Sequence, residues 1–374
     1  MKKKTSILQG QKGVSFIELL IVMTLVVIVL TMNTDTFGVI FRQSRQQTQA
    51  VGAQMDRIVG LEMLRTDLEH AGFGLPWSFQ GSINYSEATG NPQNAYNDAP
   101  SNPPKAFWSG NDPTTFTLNN SDYLVIKSTI AGTSEASQRW TYIIGGQQPH
   151  SWSSNNLSNG DRVTVIWPRS VTGYNKELVM DGTNFSTIYS SSAFPVEYSP
   201  AAATTRFVIY GVSPSTTSLR RPFNRADYYI QRPTSMPQAC APNTGILYKA
   251  TINHDANGTL NPDPLIDCVA DMQVIYRLDT NNDGTIDSTV NDISGLTSQQ
   301  IRDRVKEVRV YILSHEGQSD RAFRYAIDSI IVGENFGGTL FGRIFNLSAT
   351  IGSGWENYRW KVSTIVVKPR NLAS

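Results

Sequence analysis

The segment DTNNDGTID, residues 279–287, carries oxygen-bearing side chains at the spacing that calcium-binding loops use. Gly284 stands where such a loop needs a sharp turn. The ligand positions 1, 3, 5 and 9 of that pattern hold Asp279, Asn281, Asp283 and Asp287. The bidentate glutamate usual at position 12 is replaced by Val290, so a Ca²⁺ ion would need a further oxygen, from Asp292 or a backbone carbonyl. The segment predicts either a Ca²⁺ site or a solvated hairpin turn rich in Asp and Asn.

The chain has two cysteines, Cys240 and Cys268. A structural metal site usually takes three or four ligands, whereas a cysteine pair in an exported protein commonly forms a disulfide. Such a bridge would close a loop of about 28 residues and stabilise the fold by about 3 kcal/mol. We therefore predict a disulfide if the body is exported, with two buried free thiols as the alternative.

Motifs for catalysis are missing from the sequence. The four histidines are scattered, and no H-E-x-x-H or G-x-S-x-G motif occurs. The glycine-rich segment GENFGGTLFG lacks the Lys-Ser/Thr of a phosphate-binding loop. The 32 Lys and Arg residues nearly balance the 31 Asp and Glu residues, giving a net charge of +1. The lack of these motifs does not favour an enzyme. The balanced charge does not favour a nucleic-acid partner, because a duplex-binding surface needs clustered positive charge.

The N-terminus combines a basic leader, MKKKTSILQGQKG, with an apolar run over Val14–Met32. About 19 helical residues span about 28 Å, close to one hydrocarbon thickness. The lysines before the run predict a cytoplasmic leader and a body on the far side of the membrane. No A-x-A-like site follows the run, so we expect it to be retained. Glu18 is the exception within it, because a carboxylate at such depth costs roughly 2.5–3.5 kcal/mol.

The order Gly13, Val14, Ser15, Phe16, Ile17, Glu18 resembles the class III signal of type IV pilins and type II secretion pseudopilins. The resemblance implies that a prepilin peptidase cuts between Gly13 and Val14 and methylates the new N-terminal amine. Glu18 then becomes the fifth residue of the mature chain. In a filament core this carboxylate can neutralise the amine of a neighbouring subunit, and a buried charge is tolerable when it is paired.

Three C-terminal segments and one N-terminal segment sharpen this resemblance. They are LIDCVADMQVIYRLDTNNDGTID, RVKEVRVYILSHEG, YRWKVSTIVVKPRN and LRTDLEHAGFG, and they resemble PilW-type minor pilins. The implied fold class is α+β and pilin-like, with a long N-terminal helix packed on a large, mainly antiparallel β-sheet body. The predicted parts are a leader at 1–13, a transmembrane helix at 14–33, an amphipathic continuation at 34–74 and a β-rich body at 75–374, with an inserted subdomain at about 75–238 as an option.

Repeated short β-like runs without alternating helices support a mainly antiparallel body. The runs are YLVIK, RWTYII, RVTVIW, RFVIYGV, DYYIQ, ILYKATI, DMQVIYRL, EVRVYIL and KVSTIVV. A short helix is expected in TSQQIRDRV, because Thr297 and Gln300 form a capping-box pattern. The polar stretch 84–121 is expected to be an extended surface excursion, and Gly38, Gly52 and Gly60 are expected to allow bends in the long helix.

Three functions remain open at this stage. The first is a minor pilin built into, or priming, a type IV pilus, with its place at the tip. The second is a minor pseudopilin of a type II secretion system, and the third is a membrane-anchored β-rich adhesion protein that never polymerises. The pilin resemblance implies four partners: prepilin peptidase, other minor and major pilins, the pilus assembly platform and the bacterial inner membrane. It also implies a periplasmic body that later reaches a cell-surface pilus.

Overall fold

The computed structural model describes residues 13, 15–113, 116–170, 173–214, 218–254 and 257–372. The chain divides into two compact units, Met1–Gly52 and Ala53–Ser374. Helix α1, Phe16–Glu69, contributes residues to both units. Within the described part of the chain, no helix is both long enough and apolar enough to span a membrane.

Strands make up most of the regular secondary structure of the second unit. The short helices are α2, Ser298–Arg304, and α3, Leu347–Thr350. The strands are β1 Ser78–Phe79, β2 Phe107–Gly110, β3 Tyr123–Ser128, β4 Trp140–Ile144, β5 Arg162–Ser170, β6 Gly173–Leu178, β7 Thr187–Ile188, β8 Arg206–Ser213, β9 Asn224–Gln231, β10 Gly245–Ile252, β11 Leu260–Leu278, β12 Ser288–Val290, β13 Val305–Glu316, β14 Ser329–Phe336, β15 Thr339–Asn346 and β16 Arg359–Val367.

The strands form three sheets. The main sheet has eight strands in the order β16-β13-β11-β10-β9-β3-β2, with β12 paired to β11. A second sheet of six strands has the order β1-β6-β5-β8-β4, with β7 paired to β5, and β14 and β15 form a separate hairpin. The β1–β6 pair is parallel, and the other pairs among the described residues are antiparallel. The prediction of a mainly antiparallel body is therefore confirmed.

The main sheet is covered on both faces, and β3, β9 and β10 are therefore buried along nearly their whole length. Leu124 and Ile126 of β3 face one cluster, which also contains Leu64 and Leu68 from the end of α1. Tyr123 and neighbours on the opposite face join a second, aromatic cluster. All six residues of β3 are buried as a result. Burial of a Leu-sized side chain stabilises a fold by about 1.5–3 kcal/mol, so α1 is firmly packed at this end.

Gly60 has a packing role where α1 crosses β11. A Cβ atom at this position would lie 2.7 Å from the carbonyl oxygen of Leu265 and 2.8 Å from Cγ1 of Ile266. Only a glycine allows this close approach of helix and strand backbones. The close contact between α1 and β11 therefore requires a glycine at this position, and a bend of the helix there stays a prediction.

The predicted elements of the body are largely confirmed. The nine β-like runs lie in β3, β4, β5, β8, β9, β10, β11, β13 and β16. Helix α2 begins after Thr297, whose side chain accepts the Gln300 N–H, while the Gln300 side chain accepts the Thr297 N–H. The surface excursion predicted for 84–121 is wrong in part, because Glu87, Asp98 and Phe107 are buried there.

The glycine-rich segment GENFGGTLFG forms the turn between β14 and β15. Phe336 pairs with Thr339, and Gly337 and Gly338 between them have φ angles of +57° and +83°. Positive φ at both central residues is the requirement of a two-residue type I′ hairpin turn, which glycine meets without strain. Gly337 and Gly338 therefore serve a turn, whereas Gly333 and Gly342 pair with each other within the strands.

Candidate assembly site

The class III motif lies at the beginning of α1. Gly13 is exposed, and Glu18 is exposed in the first turn of the helix. One Glu18 carboxylate oxygen accepts the N–H of Ser15 at 3.2 Å, which satisfies one of the free donors at the helix N-terminus. Val14 and the leader residues 1–12 lie outside the described residues. Cleavage between Gly13 and Val14 and the pairing of Glu18 with an amine therefore stay predictions.

The side chains that follow Glu18 form an apolar surface. Those exposed by about half or more include Leu19, Leu20, Ile21, Val22, Met23, Leu25, Val26, Val27, Ile28, Val29 and Leu30. Exposed apolar surface of this extent marks contact with a membrane or with another protein. The first unit therefore carries a surface that is suited to helix–helix packing or to lipid.

The end of α1 is held on the main sheet by a buried ion pair. Asp67 Oδ2 lies 2.6 Å from Lys249 Nζ of β10, and the side chains of this pair are 6% and 7% exposed. The Tyr228 hydroxyl of β9 donates to the same carboxylate oxygen at 2.5 Å. Burial, and then the charge of Asp67, raise the pKa of Tyr228 well above its ordinary value, so the phenol remains a donor. Together with Leu64 and Leu68, this contact holds the end of α1 on the main sheet.

A larger network of buried charges lies beside β3. Lys127 Nζ is 2.7 Å from a carboxylate oxygen of Glu87 and 2.7 Å from one of Asp98. Arg225 donates to Glu87 at 3.1 Å and to the two oxygens of Asp227 at 2.7 and 2.8 Å. The five side chains are at most 4% exposed. Removing one partner from such a network costs about 3–5 kcal/mol, because it leaves a buried charge unpaired.

The charges around Glu87 keep it ionised. Burial alone would raise its pKa, but the ammonium of Lys127 and the guanidinium of Arg225 outweigh burial and lower the pKa to about 2. Asp98 and Ala99 donate their backbone N–H groups to the other Glu87 oxygen at 2.7 and 3.2 Å. Sequence reasoning missed this network because its members are far apart in the chain. A lysine inside the otherwise apolar strand YLVIKS was the one available signal.

The predicted disulfide between Cys240 and Cys268 is present. It joins the loop before β10 to β11, whose backbone has a register shift next to Cys268. The residue after Cys240, Ala241, donates its N–H to Nε2 of the buried His315 at 2.8 Å. Burial lowers the pKa of His315 to about 4, so the ring is neutral and can accept this bond. His315 therefore helps to hold the disulfide loop, a role that the sequence did not reveal.

The aspartate-rich loop lies between β11 and β12 and is held by its own hydrogen bonds. Asp279 is buried, and its two oxygens accept the N–H groups of Asp283 and Gly284 at 3.1 and 2.8 Å. Asn281 also accepts from Asp283 N–H at 3.0 Å, and Asp287 accepts from Thr280. Across the described residues, no group of three or more His, Cys, Asp or Glu is arranged to hold a metal ion. Ca²⁺ binding by Asp279, Asn281, Asp283 and Asp287 stays a prediction.

Comparisons with known proteins bear on the C-terminal part of the chain. Residues 227–371 match the family model of PilW, described as Type IV Pilus-assembly protein W. A search of curated proteins finds no match for the chain. Among solved structures, a type IV-like pilin from Thermus thermophilus is similar over 40% of this chain and 68% of its own length, at 14% identity and a TM-score of 0.22. The family match confirms the resemblance to PilW that the sequence predicts.

Proposed function

Because residues 227–371 match the PilW family, we propose that this chain is a minor pilin that is built into, or primes, a type IV pilus. That match is the observation that carries the proposal. It covers β9 to β16, and therefore most of the main sheet on which the end of α1 packs. The proposed protein is a structural subunit rather than an enzyme, and its direct partners are other minor and major pilins.

Assembly in this proposal begins with processing at the membrane. Prepilin peptidase cleaves between Gly13 and Val14 and methylates the new amine, while Val14–Met32 is inserted in the inner membrane and the body lies in the periplasm. The apolar run, the basic leader and the absence of an A-x-A-like site in the sequence support this topology. The assembly platform then moves the helix out of lipid and into the filament core.

Glu18 supplies the specific contact in that core. Its carboxylate would pair with the N-terminal amine of a neighbouring subunit, which fixes the axial register of the two helices. Pairing also removes the cost of an isolated charge in an apolar environment. Its exposure in the first turn of α1 is compatible with such a partner.

The size of the body supports a place at the pilus tip. Ala53–Ser374 is one compact unit of roughly 320 residues, for which domain scaling gives a radius of gyration of about 20 Å. Bodies repeated along a shaft share a narrow spacing, whereas a tip subunit has no neighbour above it. A heterologous assembly can end in a subunit that cannot be followed by its own kind. Gold labelling of the body on intact pili should therefore mark filament ends, and regular label along the shaft would contradict the tip position.

Substitution of Glu18 tests the assembly role directly. We expect Glu18→Ala to insert normally into membranes, because the change removes a costly charge, and to enter pili poorly. Glu62→Ala is the matched control, since Glu62 is an exposed glutamate of the same helix whose side chain is 68% exposed. Immunoblots of sheared pili and of membranes give, for each variant, the ratio of protein in pili to protein in membranes. Equal incorporation of Glu18→Ala and Glu62→Ala would contradict the proposal.

A further inference from the structure

The ammonium group of Lys127 occupies an unusual position between two carboxylates. It lies 2.7 Å from Asp98 Oδ2 and 2.7 Å from Glu87 Oε2, and neither Lys127 nor Glu87 has any exposed side-chain surface. Asp98 is 4% exposed. Holding an amine against a carboxyl group in a site from which water is excluded gives the two groups a very high effective concentration.

The groups around Asp98 are placed to assist reaction at its carboxyl carbon. Trp108 donates its indole N–H to Oδ1 at 3.0 Å, and the backbone N–H of Lys105 donates to Oδ2 at 2.8 Å. The Trp108 donor stabilises the negative charge that develops on Oδ1 when a nucleophile adds to the carboxyl group, and the Lys105 donor holds Oδ2 in place. Glu87 supplies a second carboxylate that contacts the same ammonium group, and it can accept a proton once Lys127 has become a neutral amine, because the charge of Lys127 is a main cause of its low pKa.

We propose that Lys127 and Asp98 form an intramolecular amide bond, with Glu87 as the group that transfers the proton. One proton of the Lys127 ammonium passes to Asp98 Oδ2, which leaves a neutral amine and a neutral carboxyl group. Nζ then adds to Cγ of Asp98, and Glu87 takes a second proton from the nitrogen. Glu87 returns that proton to the Asp98 hydroxyl, the C–O bond breaks, and one water molecule leaves. The step needs no oxidant and no co-reactant.

Burial supplies the driving force. A buried ion pair carries the desolvation cost of both ions, whereas an amide is neutral and needs only its hydrogen bonds. Trp108 already offers a donor to Oδ1, which becomes the carbonyl oxygen of the amide, and Glu87 offers an acceptor to the amide N–H. The buried charges that remain there sum to zero, because two carboxylates, Glu87 and Asp227, face two guanidinium groups, Arg221 and Arg225. The product would fasten the irregular segment before β2 covalently to β3.

The chain contains its own comparison pair. Lys249 and Asp67 are also buried and lie 2.6 Å apart. The groups found at Asp67 are the Tyr228 hydroxyl and Lys249, and no second carboxylate is found against Lys249 among the described contacts. We therefore expect this pair to remain ionic, which makes it a control for condensation caused by proximity alone.

Mass spectrometry of the full chain purified from membranes tests the proposal. We expect the reduced and denatured wild-type chain to be lighter by one water molecule than the mass calculated from its measured N-terminus. Trypsin should fail to cut after Lys127, and a branched peptide should join residues 66–105 to residues 106–139. Cleavage after Lys249 should be normal. Glu87→Gln should show its full calculated mass and normal cleavage after Lys127.

The wild-type result decides the question even if Glu87→Gln does not fold. A full calculated mass with ordinary cleavage after Lys127 would overturn the proposal, and so would a water loss that maps to other residues. A cross-link that persists in folded Glu87→Gln would overturn the role of Glu87. None of these readings depends on incorporation into pili, so they are independent of the proposed pilin function.

Discussion

Replacing Asp67 with asparagine tests how the end of α1 is held on the sheet. The substitution keeps the shape of the side chain and an acceptor for the Tyr228 hydroxyl, but it removes the negative charge. Lys249, only 7% exposed, then keeps an ammonium group that has lost its anionic partner. Removing one partner of a buried pair costs about 3–5 kcal/mol, so we expect a loss of that size for Asp67→Asn.

The expected change in melting temperature follows from the size of the body. An unfolding entropy of about 2.1 cal/mol/K per residue, over roughly 320 residues, converts 3–5 kcal/mol into a decrease of about 4–7 °C. The control is Glu62→Gln, which disrupts the 3.5 Å pair with Arg65, whose side chains are 68% and 39% exposed. An exposed pair contributes about 0–1 kcal/mol, so this variant should melt within about 1–2 °C of wild type.

Denaturation of the full chain in detergent, followed by tryptophan fluorescence, measures both variants. The double substitution Asp67→Asn with Lys249→Met should recover much of the lost stability, because no unpaired charge remains. Equal melting temperatures for Asp67→Asn and Glu62→Gln would refute the reasoning. So would a double variant that is less stable than Asp67→Asn alone.

Three further predictions concern other parts of the body. Burial lowers the pKa of His315 from 6.5 to about 4. The neutral ring therefore contributes about 3 kcal/mol to the free energy of unfolding, fully present above pH ~6.5 and lost as the pH falls toward ~4. His315→Gln should show a flatter pH–stability curve. Millimolar Ca²⁺ should raise the melting temperature of the wild-type chain and leave that of Asp283→Ala unchanged. If Ca²⁺ does not raise the melting temperature of the wild type, the loop is a plain turn. Substituting Cys240 and Cys268 by serine should cost about 2–5 kcal/mol, whereas unchanged denaturation midpoints with and without reductant would count against a stabilising bridge.

The strands of the main sheet could be predicted because burial on both faces imposes a simple pattern. Runs such as YLVIK and DMQVIYRL are apolar or β-branched over most of their length. Helix α2 was equally predictable, since its capping box depends on residues three positions apart. These signals are local, and a single sequence contains them in full.

The hairpin β14–β15 could not be recognised in the same way. Val332 and Phe345 lie on the inner face of the hairpin and are buried. Ile331 and Ile344 lie on its outer face and are 44% and 58% exposed. Apolar residues on both faces remove the alternation that marks a half-buried strand. The paired glycines of its turn lack the Lys-Ser/Thr of a phosphate-binding loop, and two adjacent glycines fit a type I′ turn.

The buried charges were beyond prediction for a different reason. Glu87 and Arg225 are 138 positions apart, and Lys127 and Asp98 are 29 apart. Apart from Lys127 in its apolar run, these residues look like ordinary surface charges within their local segments. The stretch 84–121 is also rich in Asn, Ser, Pro and Gly, which predicts a surface excursion. Only the tertiary fold shows that they neutralise each other. The motif at Gly13 and Glu18, in contrast, is local in sequence, but its partner belongs to another molecule.

Mass spectrometry of purified pili tests the central claim most directly. Pili are sheared from cells, separated from membranes and digested, and the N-terminal peptide of this chain is sequenced. The account predicts that the chain is present at far fewer copies than the major pilin and begins with an N-methylated Val14. A chain that is abundant in membranes but absent from pili, or that retains residues 1–13 within them, would contradict it.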